Sequence, residues 1–151
     1  PDIVVFIDGD YSDYPEELEK LVEPIIVGKA DFVLGSRMIL AESRAALLPQ
    51  ARYGNQLATF LMRVFFRYRF TDLGPFRAIR YNSLKAIAMV DTNFGWTVEM
   101  QVKAVKHKLR IMEIPVRYRE RIGVSKITGT VSGTFKAGTK IIYTIFKYLL
   151  V

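Results

Sequence analysis

The feature that most limits what this chain can fold into is its opening, where Val4-Val5-Phe6-Ile7 runs straight into Asp8-Gly9-Asp10. Four apolar residues in a row, two of them Val, read as a short strand buried on both faces, the pattern of a parallel sheet covered by helices. Two carboxylates one residue apart then lie just past its carboxyl end, the edge at which open α/β sheets bind their ligands. Aspartates at i and i+2 can reach the same ion, and hard divalent cations such as Mg²⁺ take one or two carboxylates together with substrate phosphates. Asp-Gly is also a common turn dipeptide. The spacing alone leaves two readings open, a metal–phosphate site and a solvated turn.

The following segments extend the α/β pattern. Asp13-Tyr14-Pro15-Glu16 has the form of a helix start, with an Asp cap, an acid three residues later and Pro in the first turn. The helix it opens carries Leu18, Leu21, Val22 and Ile25 on one face and ends near Gly28. Residues 31–37 read as a second buried strand that breaks into a loop at Gly35-Ser36-Arg37. Strand, helix and strand in this order predict a parallel pair with a right-handed crossover.

Residues 38–50 lose the pattern and read as a loop carrying Arg44. Over 51–68, Leu57, Phe60, Leu61, Val64, Phe65 and Tyr68 recur at helical spacing, with Arg63, Arg67 and Arg69 off the stripe. That helix packs against the sheet or lies on an anionic membrane surface. A turn at 71–75 precedes a short strand at 76–80, a short helix near 83–89, and a helix from Gly95 with Val98, Val102 and Val105 on one side. Residues 109–119 alternate Met112, Ile114, Val116 and Tyr118 with Glu113, Arg117 and Arg119. This is a strand with one wet face, and Pro115 assigns it to a sheet edge. Residues 120–129 are basic and glycine-containing, either an anion-binding loop or a plain surface loop. The last segment, 131–151, reads as a helix with Ile141, Ile142, Ile145, Phe146 and Leu149 on one side and Lys136, Lys140 and Lys147 elsewhere. It lies in a membrane interface or leads into a spanning segment beyond the chain.

Composition narrows the chemistry. With 22 Lys and Arg against 15 acids the chain carries a net charge of +7, which points to an anionic partner. The basic residues are dispersed over loops and no nucleic-acid motif occurs, which disfavours nucleic acid. Absence of Cys removes zinc–thiolate sites and Cys nucleophiles. The single His107 sits among Lys103, Lys106 and Lys108, a solvated face rather than a catalytic one. No apolar run is long enough to span a bilayer and no signal peptide is visible. At 151 residues the chain fits one domain, but it opens inside a strand pattern and reads as a piece of a longer one.

The runs VVFIDGDYSDYPEEL, ADFVLGSR, RYGN, DLGPFRAIR, GWTVEMQVKA and EIPVRYRERIGVSKITGT, in this order, resemble the later part of family-2 glycosyltransferases, within them the dolichyl-phosphate mannosyltransferase-like polyprenyl-phosphate sugar transferases. The resemblance implies an α/β GT-A fold, a Rossmann-like nucleotide-diphospho-sugar transferase sheet with flanking helices, of which residues 1–151 are a partial catalytic domain. The N-terminal strands and nucleotide-binding half are then missing. It implies inverting transfer of a sugar from a nucleotide-diphosphate-sugar donor to a polyprenyl (dolichyl or undecaprenyl) phosphate. The protein would be peripheral at the cytoplasmic membrane face, and the exposed sheet edge is one reason to expect a homo-oligomer.

Carried over residue by residue, Asp8 and Asp10 match the Mg²⁺- or Mn²⁺-binding diphosphate motif, with Ser12 close behind as a substrate-binding residue and Asp10 also in a catalytic role. Arg37 and Arg52 match positions that hold the acceptor phosphate. Asp72 matches the acidic residue of the acceptor loop, a base or a phosphate-orienting group. Arg121 and Lys126 match the loop over the donor pyrophosphate; Arg77, Glu99 and Trp96 lie in motif positions, Arg77 and Glu99 as substrate-binding candidates, with Glu99 equally readable as a helix-start acid favoured by the helix dipole. Two alternatives remain: a family-2 enzyme with a hydroxyl acceptor, and a non-catalytic phosphate-binding module.

Overall fold

The computed structural model describes residues 1–127 and 129–151. Four strands, β1 (Ile3–Phe6), β2 (Phe32–Ser36), β3 (Arg77–Arg80) and β4 (Ile111–Pro115), form one sheet in the order β1-β3-β2-β4. β2 and β4 pair in parallel, Phe32 opposite Ile111 and Ser36 opposite Pro115, whereas β3 runs antiparallel to both β1 and β2. The expected βαβ neighbours therefore run in the same direction but do not touch, because β3 is inserted between them. The reason lies in β3 itself: Ala78 and Ile79 are both fully buried on opposite faces, which suits a central strand. β1, expected to be buried, is half-buried along its length at the edge. β4 holds the other edge, as Pro115 predicts.

The sheet separates two apolar layers, and alternation along β2 sends its side chains to both. Val33 packs with Leu21, Ile25, Phe76, Ala78 and Val116 beneath α1 (Leu18–Ile26). Phe32 and Leu34 face the larger layer of Met62, Ile79, Val98, Met100 and Ile145. That layer is roofed by α3 (Pro49–Phe66), α5 (Trp96–Lys106) and α6 (Val131–Leu150), while the short α2 (Ala41–Ala46) and α4 (Tyr81–Ile87) link them to the sheet. α2 replaces part of the loop expected over 38–50. Gly35 lets β2 pass its neighbours closely, since a Cβ there would meet the Phe76 carbonyl and the Val116 side chain at 2.9 Å.

Two local expectations shift. The Asp13 cap does not form; α1 is entered through a 3-10 turn (Pro15–Glu17) whose cap residue, Tyr14, makes no side-chain capping bond. On α3 the buried line is Asn55, Ala58 and Met62, with Leu61, Phe65 and Tyr68 packed beside it. Leu57, Phe60 and Val64, read as part of the packing stripe, are 48%, 58% and 52% exposed. Small Ala58 and the anchoring Asn55, which bonds the Thr71 carbonyl and the Leu73 N–H, set the rotation of the helix. Among the described residues no helix is long and apolar enough to cross a membrane.

Candidate active site

The ends of β1, β2 and β4 open on the same edge of the sheet, and there the chain forms a cleft of about 520 Å³. Asp8 and Asp10 from the loop after β1, Arg37 after β2 and Arg121 after β4 supply its charged lining. Leu47 and Leu48 from the α2–α3 junction, with Val124 and Ile127 from the basic loop, supply apolar lining. Three segments far apart in the chain thus converge, so that Asp8 and Asp10 line a cleft together with Arg37 and Arg121.

The aspartate loop is fastened to the segment after β4. The Arg119 N–H donates to the Ser12 carbonyl and the Ile122 N–H to the Asp10 carbonyl, each at 3.0 Å. Asp13 and Tyr118 form a further backbone bridge. The Arg119 guanidinium lies 3.4 Å from the centroid of the Tyr11 ring, and Tyr11 itself sits at φ 72°, a left-handed conformation unfavourable for a bulky residue. Such strain persists where the surroundings dictate it.

The two motif carboxylates differ electrically. Burial and the charge of Asp10 push the Asp8 carboxyl up, against the pull of Arg37 and Arg121. Burial also opposes ionisation of Asp10, but hydrogen bonds from the Ser12 hydroxyl and N–H, with Arg121 at 3.5 Å, hold it below the usual carboxylate range. Ser12 is buried behind Asp10, so it orients that carboxylate rather than touching substrate as expected. A third carboxylate went unnoticed in the sequence. Asp13 accepts the Asp8 N–H at 3.3 Å and is pushed up to about 6 by burial, and its Oδ1 is buried without a hydrogen-bond partner. Its only signal was a third Asp within six residues, which was read as a helix cap.

Asp8 and Asp10 are the carboxylates that a divalent ion in this cleft would use. Among the described residues no group of three or more His, Cys, Asp or Glu side chains could hold a metal. An ion held by Asp8 and Asp10 would complete its shell with substrate phosphate oxygens and water, the usual arrangement for Mg²⁺.

Asp72, fully buried in the turn before β3, is bound in a fork by Arg37, which donates from its backbone N–H, Nε and Nη2. Burial works against the Arg37 charge, but Asp72 pushes its pKa up. Gly74 makes the fork possible: a Cβ there would lie 2.9 Å from Asp72 Oδ2 and 3.3 Å from Arg37 Nε. Thr71, beside Asp72, is held by Glu113 and by the Ser36 hydroxyl at 2.7 Å.

Other expected site residues fall elsewhere. Arg77 is fully buried and gives its donors to the Leu73, Gly74 and Thr97 carbonyls and to Gln101 Oε1, so it cannot contact substrate. Burial pulls it down to about 9, which leaves it charged at neutral pH. Trp96 lies over the Arg77 guanidinium at 5.1 Å and stacks on Phe6. Glu99 is also fully buried; it accepts from Tyr148, Lys103 and the N–H groups of Val90 and Asp91, and so braces the α4–α5 connection outside the cleft. Both sit in motif positions because the fold needs them, which a one-dimensional motif cannot distinguish from substrate contact. Arg52, in the first turn of α3, and Lys126 flank the cleft through their lining neighbours Ala51, Ser125 and Ile127 without lining it themselves. His107 is exposed at the end of α5.

A mixed α/β sheet with an acidic pair and arginines at its strand ends has the architecture of a GT-A nucleotide-sugar transferase. The fold matches that of glucosyl-3-phosphoglycerate synthase from Mycobacterium tuberculosis, solved with phosphoglyceric acid, with a TM-score of 0.75 over 99% of this chain and 50% of that one, at 16% identity. Residues 1–88 match the glycosyl transferase family 2, and the chain belongs to that family. It is 30% identical over 137 residues to an undecaprenyl-phosphate mannosyltransferase of Micrococcus luteus, covering 87% of this chain and 56% of that protein. It is 27% identical over 139 residues to a polyprenol monophosphomannose synthase of Mycolicibacterium smegmatis, covering 85% and 50%. The chain thus spans about half the length of the curated relatives it matches.

Proposed function

We propose that the protein bearing this chain transfers a hexosyl group from a nucleotide-diphosphate sugar to a polyprenyl phosphate at a membrane surface. The observation that carries the reading is the mixed lining of the cleft, where the carboxylates and arginines share one cavity with Leu47, Leu48, Val124 and Ile127. A charged head with an apolar tail is the ligand that such a lining accommodates. The names of the relatives support the same acceptor class.

In this mechanism a phosphate oxygen of the acceptor donates its electron pair to the anomeric carbon. The bond from that carbon to the donor diphosphate breaks with inversion, and its electrons leave on the nucleoside diphosphate. A phosphate monoester is already ionised at neutral pH, so no proton has to be removed, and catalysis rests on positioning and charge stabilisation. Asp8 and Asp10 hold the donor diphosphate side, where a bound Mg²⁺ or Mn²⁺ would neutralise leaving-group charge. Arg121 and Lys126 close over the diphosphate from the basic loop. Arg37 and Arg52 take the acceptor phosphate, since guanidinium groups bind phosphate oxygens in pairs. Asp72 orients Arg37.

The membrane side of the reading rests on α3 and α6, which touch through Phe65 and Phe146 at 5.3 Å. Tyr53, Leu57, Phe60 and Val64 of α3 and Val131, Phe135 and Phe146 of α6 are exposed. Neither helix contains an acid, while Arg52, Arg63, Lys136, Lys140 and Lys147 supply cations. Lys140 is paired with Asp91 at 3.1 Å; apolar residues beside the remaining cations match an anionic bilayer, and the cytoplasmic face, where nucleotide sugars are available, is the proposed location.

The test is transfer of labelled sugar from a panel of nucleotide sugars to undecaprenyl and dolichyl phosphate. Formation of polyprenyl-phosphate sugar, abolished by Asp8→Ala and Asp10→Ala, supports the reading. Transfer unchanged in those variants, or product formed only on hydroxyl acceptors, overturns it.

A further inference from the structure

Arg77 is a buried cation with no carboxylate in contact. Its Nε donates to the Gly74 carbonyl at 3.0 Å, its Nη1 to the Thr97 carbonyl at 3.0 Å, and its Nη2 to the Leu73 carbonyl and Gln101 Oε1 at 3.2 Å. Gln101 in turn donates from Nε2 to the Asp72 carbonyl at 3.0 Å. Three successive carbonyls, those of Asp72, Leu73 and Gly74, are therefore held from behind by two buried side chains, one on β3 and one on α5. The Phe32 and Trp96 rings, 5.6 Å and 5.1 Å from the guanidinium, complete the enclosure.

Burying a guanidinium is costly, and an apolar side chain of similar size would commonly serve a core better. What this one adds is charge and direction. With their three carbonyls bound inside, residues 72–74 leave the Asp72 carboxylate to the Arg37 fork at the cleft. Arg37 and Asp72 alone form a neutral pair; with Arg77 behind them the group carries one net positive charge. A buried, weakly screened charge acts over several ångströms.

We propose that Arg77, with Gln101, is a positioning residue for the acceptor side: it fixes the Asp72–Arg37 fork and leaves that fork with a net positive charge toward the incoming phosphate. The inference rests on the proposed lipid-phosphate acceptor but assigns to Arg77 a role that needs no contact with it.

The experiment measures binding of farnesyl phosphate, of inorganic phosphate and of nucleoside diphosphate with Mn²⁺ by calorimetry in the intact protein. Two variants are compared with wild type, each with its thermal unfolding recorded. Arg77→Met removes the charge and the clamp. Gln101→Glu gives Arg77 a carboxylate partner and cancels the net charge while keeping the side-chain volume. Both variants are expected to weaken farnesyl phosphate roughly tenfold or more, the scale of one charge acting through a polar site, with nucleotide binding unchanged. Gln101→Glu also loses the Nε2 donor to the Asp72 carbonyl, so its melting temperature is expected to fall. The deciding readout is a loss of farnesyl phosphate affinity with nucleotide affinity retained in the folded variant, which a purely structural role for the clamp would not produce. Inorganic phosphate weakened in parallel with farnesyl phosphate is the expected sign that the head group is sensed. Farnesyl phosphate bound as tightly by folded Gln101→Glu as by wild type overturns the proposal, as does an equal loss of acceptor and nucleotide. Failure of the wild-type protein to bind farnesyl phosphate instead overturns the acceptor reading itself.

Discussion

Arg37 binds Asp72 through three hydrogen bonds, from its backbone N–H at 2.8 Å and from Nε and Nη2 at 2.9 Å, so that both carboxylate oxygens are directed at one arginine. A general base needs a lone pair free for the acceptor proton. Asp72 is also fully buried, away from any acceptor proton, which favours an orienting role over that of a base.

Asp72→Asn is expected to leave the shape of the pH–rate profile unchanged while raising the KM for the lipid phosphate more than it lowers kcat. Losing one partner of a buried pair costs about 3–5 kcal/mol when the other charge is stranded. Here Arg37 reaches the cleft, so the fall in stability is expected at the lower end of that range. Steady-state kinetics across pH, with thermal unfolding alongside, checks both. A base role would instead remove the acid limb of the profile and lower kcat.

Gly74→Ala acts on the same fork by a different route. The added methyl would lie 2.9 Å from Asp72 Oδ2 and from the Gly35 carbonyl, neither of which can swing away freely. Overpacking of this kind costs about 1–3 kcal/mol, and the expected result is a lowered melting temperature with a weakened acceptor KM and an unaffected donor KM.

Away from the cleft, Asp31 joins Arg110 and Arg80 where β2 and β4 begin. Hydrogen bonds from Arg110 pull its carboxyl down to about 2, against partial burial, from an ordinary 3.8. A carboxyl depressed in the folded state contributes stability that is present above its unfolded pKa and lost as pH falls through the folded one. Melting temperature should therefore drop between about pH 4 and pH 2 in the wild-type chain. Asp31→Asn is expected to start lower at neutral pH and to show a shallower decline over the same window, read by thermal unfolding at fixed ionic strength.

Much of this was legible in the sequence where a local pattern and its physical cause coincide. β2 reads as buried because five consecutive small or apolar residues leave it no wet face, and Pro115 marks an edge because it cannot donate to a neighbour. Asp8 and Asp10 read as ligand-facing because they follow a strand at its carboxyl end, whereas Arg37 and Arg121 entered through the resemblance, and the structure brings all four into one cleft. What depended on pairing or rotation was not legible. Nothing in four residues of β1 says that an antiparallel β3 will lie beside it. The α3 stripe was right in period and half right in phase: Leu61, Phe65 and Tyr68 pack on the core, while Asn55 docks on residues 71–73 and Leu57, Phe60 and Val64 turn outward. Arg77 and Glu99 carry charges that a motif reads as substrate contacts, and only their enclosure reveals them as internal clamps.

The donor side makes its own demand on a metal. Among the described residues no three carboxylates are placed to hold an ion together, so tight binding of an ion by Asp8 and Asp10 should require the diphosphate as co-ligand. Mn²⁺ titrated alone is expected to bind weakly, and nucleoside diphosphate to sharpen it. Chelation should abolish sugar transfer, with recovery on adding Mg²⁺ or Mn²⁺. Asp10→Ala should remove the synergy while leaving farnesyl phosphate binding in place.

The outward turn of Phe60 bears on the membrane. Phe60 is 58% exposed on α3 and Phe135 is 75% exposed on α6, so replacing either should change stability by no more than about 0.5 kcal/mol. If the two helices lie on a bilayer, each ring sinks into it. Removing one forfeits a large part of the roughly 1.5–3 kcal/mol that burying such a side chain supplies. Phe60→Glu and Phe135→Glu are therefore expected to cut co-sedimentation with phosphatidylglycerol-containing vesicles about tenfold each, with melting temperature unchanged. Arg63→Gln with Lys147→Gln should weaken binding only where the vesicles are anionic and salt is low, since that part of the attraction is screened. Equal binding of wild type and the Glu variants would show that this face of α3 and α6 meets something other than lipid. The cleft would then have to receive its polyprenyl phosphate by a route that does not begin at the bilayer surface.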